Sequence, residues 1–187
     1  MSAEVVRAGE ILRRLNGVPR LTGAEIGVFG GALSRLLLRR DGLFLYMVDS
    51  WLPAEEQPEH YARTKDYHAH LPIELQRHYY FTAMVNTEFA EDRRRVLRMD
   101  SVEASRQVAN GSLDFVFIDA NHTYQGCTAD IEAWLPKVKV GGLLCGHDYK
   151  NTDFPEFEVD RAVDETVKRN GWDLDLGDNF TWFVRVV

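Results

Sequence analysis

The chain has only two cysteines, Cys127 and Cys145, and their separation matches no metal-finger spacing. A disulfide framework or zinc knuckle is thereby disfavoured, and both read as small apolar side chains in a reducing compartment. Long apolar runs are also missing: residues 113–118 and 143–145 are strand-sized, well short of the roughly 20 residues needed to cross a bilayer. The stretch Met1-Ser2-Ala3-Glu4 carries no apolar segment of the secretory kind, so a cytoplasmic location is expected. Basic residues are in the minority, 22 against 29 acidic ones, for a net charge of −7. Such a chain repels a phosphate backbone, and Arg93-Arg94-Arg95 is its one compact basic run. A small-molecule partner is expected, with neither nucleic acid nor membrane. No internal repeat or low-complexity tract is visible.

What is present suits one core. With 187 residues and 45% hydrophobic content, a single domain over residues 1–187 is expected. Val5, Ala8, Ile11, Leu12 and Leu15 recur at helical spacing with charged residues between them, which predicts an amphipathic helix within residues 1–20. Strand-like runs at 23–28, 43–48, 95–99, 113–118 and 138–145 alternate with helical stretches at 32–40, 102–108 and 124–135. This alternation predicts a doubly wound, Rossmann-like α/β sandwich with a mostly parallel sheet. A helix at 160–169 and strands at 172–176 and 181–186, joined by Gly177-Asp178-Asn179, complete the pattern. Residues 50–92 break the alternation. They are polar and aromatic-rich, with a helical part at 73–90, and follow a strand's carboxyl end, where open α/β sheets place ligand-covering loops. A lid and a packing or homodimer insert fit this segment equally well.

The chemistry gathers at strand ends. Glu25-Ile26-Gly27-Val28-Phe29-Gly30-Gly31 lies where the first strand turns into its helix, a place where a ligand demands close backbone approach. Asp49 ends the next strand, 22 residues after Gly27, where a carboxylate can accept from both hydroxyls of a ribose. The pair suits an adenosine ligand. The glycine spacing departs from the Gly-x-Gly-x-x-Gly dinucleotide fingerprint.

These motifs, with Val48-Asp49-Ser50-Trp51, Asp114-Phe115-Val116-Phe117-Ile118-Asp119-Ala120-Asn121-His122 and Gly141-Gly142-Leu143-Leu144-Cys145-Gly146-His147-Asp148-Tyr149, resemble the class I S-adenosylmethionine-dependent methyltransferases. The resemblance is to the small O-methyltransferase-like branch catalogued as methyltransferase family 24; it runs from about Leu21 onward and leaves residues 50–95 unmatched. It implies a seven-stranded sheet with the last strand reversed. It further implies S-adenosylmethionine bound by Glu25, Gly27, Phe29, Gly31, Asp49, Trp51, Asp100, Ser101 and Asp119, with Asp100-Ser101 beside the adenine.

Asp119 and His147-Asp148 end consecutive strands, which usually lie side by side roughly 5 Å apart, so two carboxylates can face one cation. In metal-dependent relatives the corresponding positions hold a divalent ion. His147 stands where those enzymes carry an acid, and imidazole suits zinc, manganese or iron better than magnesium. The competing reading leaves Asp119 on the cofactor and His147-Asp148 as pocket floor. His122 falls where catechol-type enzymes carry a catalytic lysine, and it is the candidate general base, with Asp119 beside it. His60, His68, His70 and His78 are expected to be solvated or stacked on tyrosines. Lys65 and Tyr67 reach substrate if the insert is a lid. The expected activity is O-methylation of a small hydroxyl-bearing molecule such as a sugar, phenol or natural product. The alternatives are a non-catalytic S-adenosylmethionine-binding module and a nicotinamide-dependent oxidoreductase.

Overall fold

The structure, a computed structural model, describes residues 2–187. Seven strands, β1 (Leu21–Ile26), β2 (Leu43–Asp49), β3 (Arg94–Arg98), β4 (Leu113–Ile118), β5 (Val138–Gly146), β6 (Leu174–Leu176) and β7 (Trp182–Arg185), form one sheet in the order β3-β2-β1-β4-β5-β7-β6. The pairs among β1 to β5 are parallel, and β7 runs antiparallel to both β5 and β6. The helices are α1 (Ala3–Arg14), α2 (Ala32–Leu38), α3 (Glu59–Ala62), α4 (Ile73–Asn86), α5 (Ser101–Ser105), α6 (Tyr124–Trp134) and α7 (Val159–Asn170). The α/β alternation is the one the sequence pattern predicts, and the seven strands with only the last reversed are what the family resemblance implies.

Strand β4 explains why its sequence is apolar throughout. Phe115 and Phe117 enter a core shared with Ile11 of α1, Leu37 of α2 and Ala83 of α4, whereas Val116 and Ile118 enter a second core with Ala104, Ile131 and Val163 of α5, α6 and α7. A strand buried on both faces has no polar side to display. Cys127 and Cys145 lie in different cores as free thiols, so no disulfide joins them. Burial raises the pKa of both thiols. No described helix is long and apolar enough to cross a membrane.

The insert divides between two tasks. Its helix α4 packs on the sheet side: Tyr80 meets Trp51 edge-on at 5.0 Å, and Gly31, in left-handed backbone at φ 72°, faces Ala83 closely. The predicted helix at 73–90 stops at Asn86, and a 3-10 turn, Glu88–Arg93, follows. The Thr87 hydroxyl donates back to the Ala83 carbonyl at 2.7 Å. Residues 57–68 border the cavity at the strand ends, and Gln76, Tyr79, Thr82 and Asn86 of α4 line it as well. Two residues of the basic run are tied into the structure, Arg93 donating to the carbonyls of Leu38 and Leu43 at 3.0 and 3.2 Å and Arg94 to that of Met84 at 2.9 Å, while Arg95 is exposed.

A Cβ on Gly31 would sit 2.9 Å from the Ala83 Cα, whereas one on Gly30 would meet nothing nearer than 3.7 Å. Gly31→Ala is expected to destabilise by about 2–4 kcal/mol through backbone strain and overpacking. Gly30→Ala should cost less than about 1 kcal/mol. Urea unfolding of both variants checks this, and equal effects would refute the close-approach account.

Candidate active site

The strand order reverses between β1 and β4, and ligands of open α/β sheets bind beyond the carboxyl ends at such a point. Here those ends are level. Ile26 pairs with Ile118, the Asp119 N–H donates to the Ile26 carbonyl at 2.8 Å, and the His147 N–H donates to the Ile118 carbonyl at 3.0 Å. Gly27 turns away at φ 89°, where a Cβ would fall 1.9 Å from the Asp119 carbonyl oxygen. Its glycine thus answers to the neighbouring backbone. Above this edge opens a cavity of about 890 Å³, toward the upper end of the roughly 300–1,000 Å³ typical of small-molecule sites. There is room for two reactants.

Of the residues expected to hold the cofactor, Glu25, Gly27, Phe29, Asp49, Asp100, Ser101 and Asp119 line this cavity. Gly31 and Trp51 do not. Gly31 accommodates α4, and Trp51 is buried with its indole N–H donating to the Phe29 carbonyl at 2.9 Å. Both therefore hold the turn from behind. Asp49 clamps the same turn: its Oδ2 accepts from the N–H groups of Val28 and Phe29 at 3.0 and 2.8 Å, and its Oδ1 from Trp51 at 2.8 Å. With one protein donor, Oδ1 keeps acceptor capacity for a ligand. Burial raises the Asp49 pKa, against the opposing effect of the N–H donors from Phe29, Trp51 and Val28. Phe29 reaches the insert, its ring 3.7 Å from that of Tyr79 and edge-on to His68 at 4.7 Å. On the far side Asp100 caps α5 by accepting from the Glu103 N–H at 3.1 Å, and the Ser101 hydroxyl accepts from the Trp134 indole at 2.8 Å.

The other end of the cavity is a cluster of carboxylates around two imidazoles. His122 Nδ1 lies 2.6 Å from Asp66, and its Nε2 lies 2.9 Å from Asp148 and 3.4 Å from Asp119. His147 Nδ1 is 2.9 Å from Asp148 and 3.7 Å from Asp119, and its Nε2 is buried without a partner. Burial alone would lower the His122 pKa. The hydrogen bonds to Asp119, Asp148 and Asp66 overcome it and hold the ring well above 6.5, as an imidazolium. Burial likewise works to raise Asp66, Asp119 and Asp148, but hydrogen bonds from His122, joined by His68 at Asp66 and His147 at Asp148, keep all three ionised. Both ring nitrogens of His122, the expected general base, thus face carboxylates. The residues expected to hold a metal, Asp119, His147 and Asp148, come together here. The ligand atoms that lie within 4.8 Å of one another belong to Asp119, His122 and Asp148, with His147 alongside.

Two contributors had no signal in the sequence. Asp66 lies in the insert, yet it is 3% exposed and also accepts from the Tyr61 hydroxyl at 2.9 Å and the His68 N–H at 3.0 Å. Arg7, on the polar face of α1, reaches Asp119 at 2.9 Å. The insert histidines do not gather: His60 meets Asn121, His68 meets Asp66 and His70 meets the Thr64 carbonyl. Tyr67 lines the cavity and Lys65 does not. Non-glycine residues in left-handed backbone cluster at the rim, with Phe29 at φ 51°, Trp51 at 46° and Asp148 at 62°. Such strain persists where surrounding contacts over-determine it, commonly at ligand sites.

A nucleotide-type ligand fits this edge of an open α/β sheet, and comparison with known proteins narrows the class. Residues 24–149 match the methyltransferase domain family, and the chain belongs to that family. Among solved structures, the O-methyltransferase NovP is 20% identical with a TM-score of 0.63, over 98% of this chain and 78% of its own. The calicheamicin methyltransferase CalS11 is 14% identical with a TM-score of 0.68, over 97% and 78%. A Staphylococcus aureus protein assigned as a caffeoyl-CoA O-methyltransferase is 16% identical with a TM-score of 0.63, over 99% and 84%. At these identities the likeness is one of fold. Among curated proteins none matches the sequence.

Glu25 carries a checkable consequence. It is 2% exposed, and burial pushes its pKa up to about 8 despite the hydroxyl of Ser34 donating to it. A carboxyl whose pKa is higher folded than unfolded gives stability that is full below its unfolded value near 4.5 and is lost as pH rises through about 8. Glu25→Gln should therefore flatten the decline in unfolding free energy between pH 5 and 9, by an amount on the order of a few kcal/mol. Denaturant titrations at both pH values measure it; an unchanged pH dependence would contradict the assignment.

Proposed function

We propose that this protein is an S-adenosylmethionine-dependent O-methyltransferase acting on a small hydroxyl-bearing molecule such as a sugar or phenol. The observation that carries this reading is the single cavity into which the glycine turn, Asp49, Asp100 and the Asp119–His122–Asp148 cluster all face. The residues fit the cofactor: Asp49 retains an acceptor for a ribose hydroxyl, Glu25 stands ready to ionise beside an ammonium, and the acidic lining complements a sulfonium cation. When bound, S-adenosylmethionine supplies an electrophilic methyl group on sulfur.

This chain's own residues orient, enclose and deprotonate. The insert's Gln57, Tyr61, Tyr67 and His68 cover the cavity and act as a lid that excludes water, while the cluster positions the acceptor oxygen for in-line attack. Bound S-adenosylmethionine would supply its methyl group to the acceptor oxygen and leave as the neutral thioether, and Asp119 would take the acceptor's proton. An ionised carboxylate suffices there, because an oxygen that has just gained a methyl group is far more acidic than any carboxylic acid. His122 keeps Asp119 and Asp148 in place as their hydrogen-bond donor. A divalent ion of the zinc, manganese or iron kind could take this place only by releasing the His122 Nε2 proton; Asp119, Asp148 and the neutral ring would then hold it, and it would polarise the acceptor hydroxyl. The glycine spacing gives no support to a nicotinamide cofactor.

Calorimetry should find S-adenosylhomocysteine binding and no NAD binding. Labelled S-adenosylmethionine with a panel of sugars and phenols should yield methylated product. Asp119→Asn is expected to lower kcat by about 100-fold or more. Cofactor binding without transfer to any hydroxyl compound would overturn the enzymatic half of the reading, and NAD binding alone would overturn all of it. If a metal takes part, treatment with a chelator abolishes transfer and manganese or zinc restores it; full activity in excess chelator removes the metal.

A further inference from the structure

Arg7 is the one Lys or Arg among the described residues that lines the central cavity. It comes from α1, and its guanidinium donates to Asp119 Oδ2 at 2.9 Å and to Asn179 Oδ1 at 3.1 Å. The side chain is 18% exposed. Elsewhere the lining is acidic, with Glu25, Asp49, Asp66, Asp130 and Asp148 all facing the same space. The guanidinium pairs with Asp119, whose carbonyl packs directly against Gly27, so the positive charge lies beside the glycine turn. A guanidinium has five N–H donors in a planar fork matched to a carboxylate, and the protein engages two of them here.

For a ligand carboxylate beside the glycine turn, Arg7 is the positive partner at hand, because the other positively charged group of the cavity, the His122 ring, is enclosed by Asp66, Asp119 and Asp148. The amino-acid end of S-adenosylmethionine carries both an ammonium, which the acidic lining serves, and a carboxylate, for which no other fixed positive charge faces the turn. We infer that Arg7 binds the carboxylate of the cofactor's methionine half, so that α1 closes the cofactor site; the inference rests on the methyltransferase reading above. It makes α1 part of the binding machinery as well as a packing element.

Three probes test it on the whole protein: S-adenosylhomocysteine, its decarboxylated analogue, which keeps the ammonium, and 5′-methylthioadenosine, which lacks both groups. Arg7→Gln should weaken S-adenosylhomocysteine binding by about 10- to 100-fold, the size expected for a charge-assisted hydrogen bond. The same variant should leave the other two probes within about twofold of the unaltered protein. Arg7→Lys, keeping the charge without the fork, should fall between, and thermal melting checks that each variant is folded. Equal losses for all three probes would mean that Arg7 acts only by holding Asp119, and no loss for S-adenosylhomocysteine, or a loss confined to acceptor KM, would equally overturn the inference. If the unaltered protein binds none of the three, it is the cofactor reading that fails, and this assignment falls with it.

Discussion

His122 is held by carboxylates from three separate parts of the chain: Asp66 in the insert, Asp119 after β4 and Asp148 after β5. The ring is buried, and removing one member of such a cluster leaves the others charged and unpaired, which typically costs several kcal/mol. The insert cannot leave the sheet edge without breaking the Asp66 contact. That one ring therefore ties the insert to the ends of β4 and β5 and sets the direction of Asp119 and Asp148. Stacking of Phe157 on the same ring at 4.3 Å, itself stacked on Phe154, extends the constraint to the segment after β5.

The cavity is consequently divided by charge. At one end Asp49 organises backbone N–H groups of the glycine turn; at the other the cluster concentrates negative charge around two rings. Between them Glu25 and Asp130 are buried carboxyls with pKa values pushed up to about 8 and about 7. Carboxyls shifted this far by burial are characteristic of functional sites. Arg7 supplies the positive charge nearest the glycine turn, since the His122 ring is enclosed by its three carboxylates.

Much of the fold was legible because its causes are local. Apolar runs bounded by turns marked the parallel strands, and Gly177-Asp178-Asn179 marked the final reversal. The ends of β1, β2 and β4 were legible too, since Gly27, Asp49 and Asp119 follow apolar runs directly. Contacts between distant segments left no trace in the sequence. Asp66 looks like any acid in a polar loop, and Arg7 like any arginine on a helix's polar face. Trp51 and Gly31, next to ligand-facing residues, point instead into the packing of α4, because left-handed backbone at each turns the chain. His122 was found as a site residue, but its proton state depends on Asp66, 56 residues earlier in the chain.

The account's central claim is that one cavity above β1 and β4 receives the adenosyl cofactor, with the acceptor between it and the acidic cluster. A crystal structure determined with S-adenosylhomocysteine tests it most directly. The account predicts the adenosine between Asp49 and Asp100, the homocysteine along Gly27 toward Arg7, and the sulfur facing Asp119. Ligand density elsewhere on the molecule, or an empty cavity at saturating ligand, would contradict it.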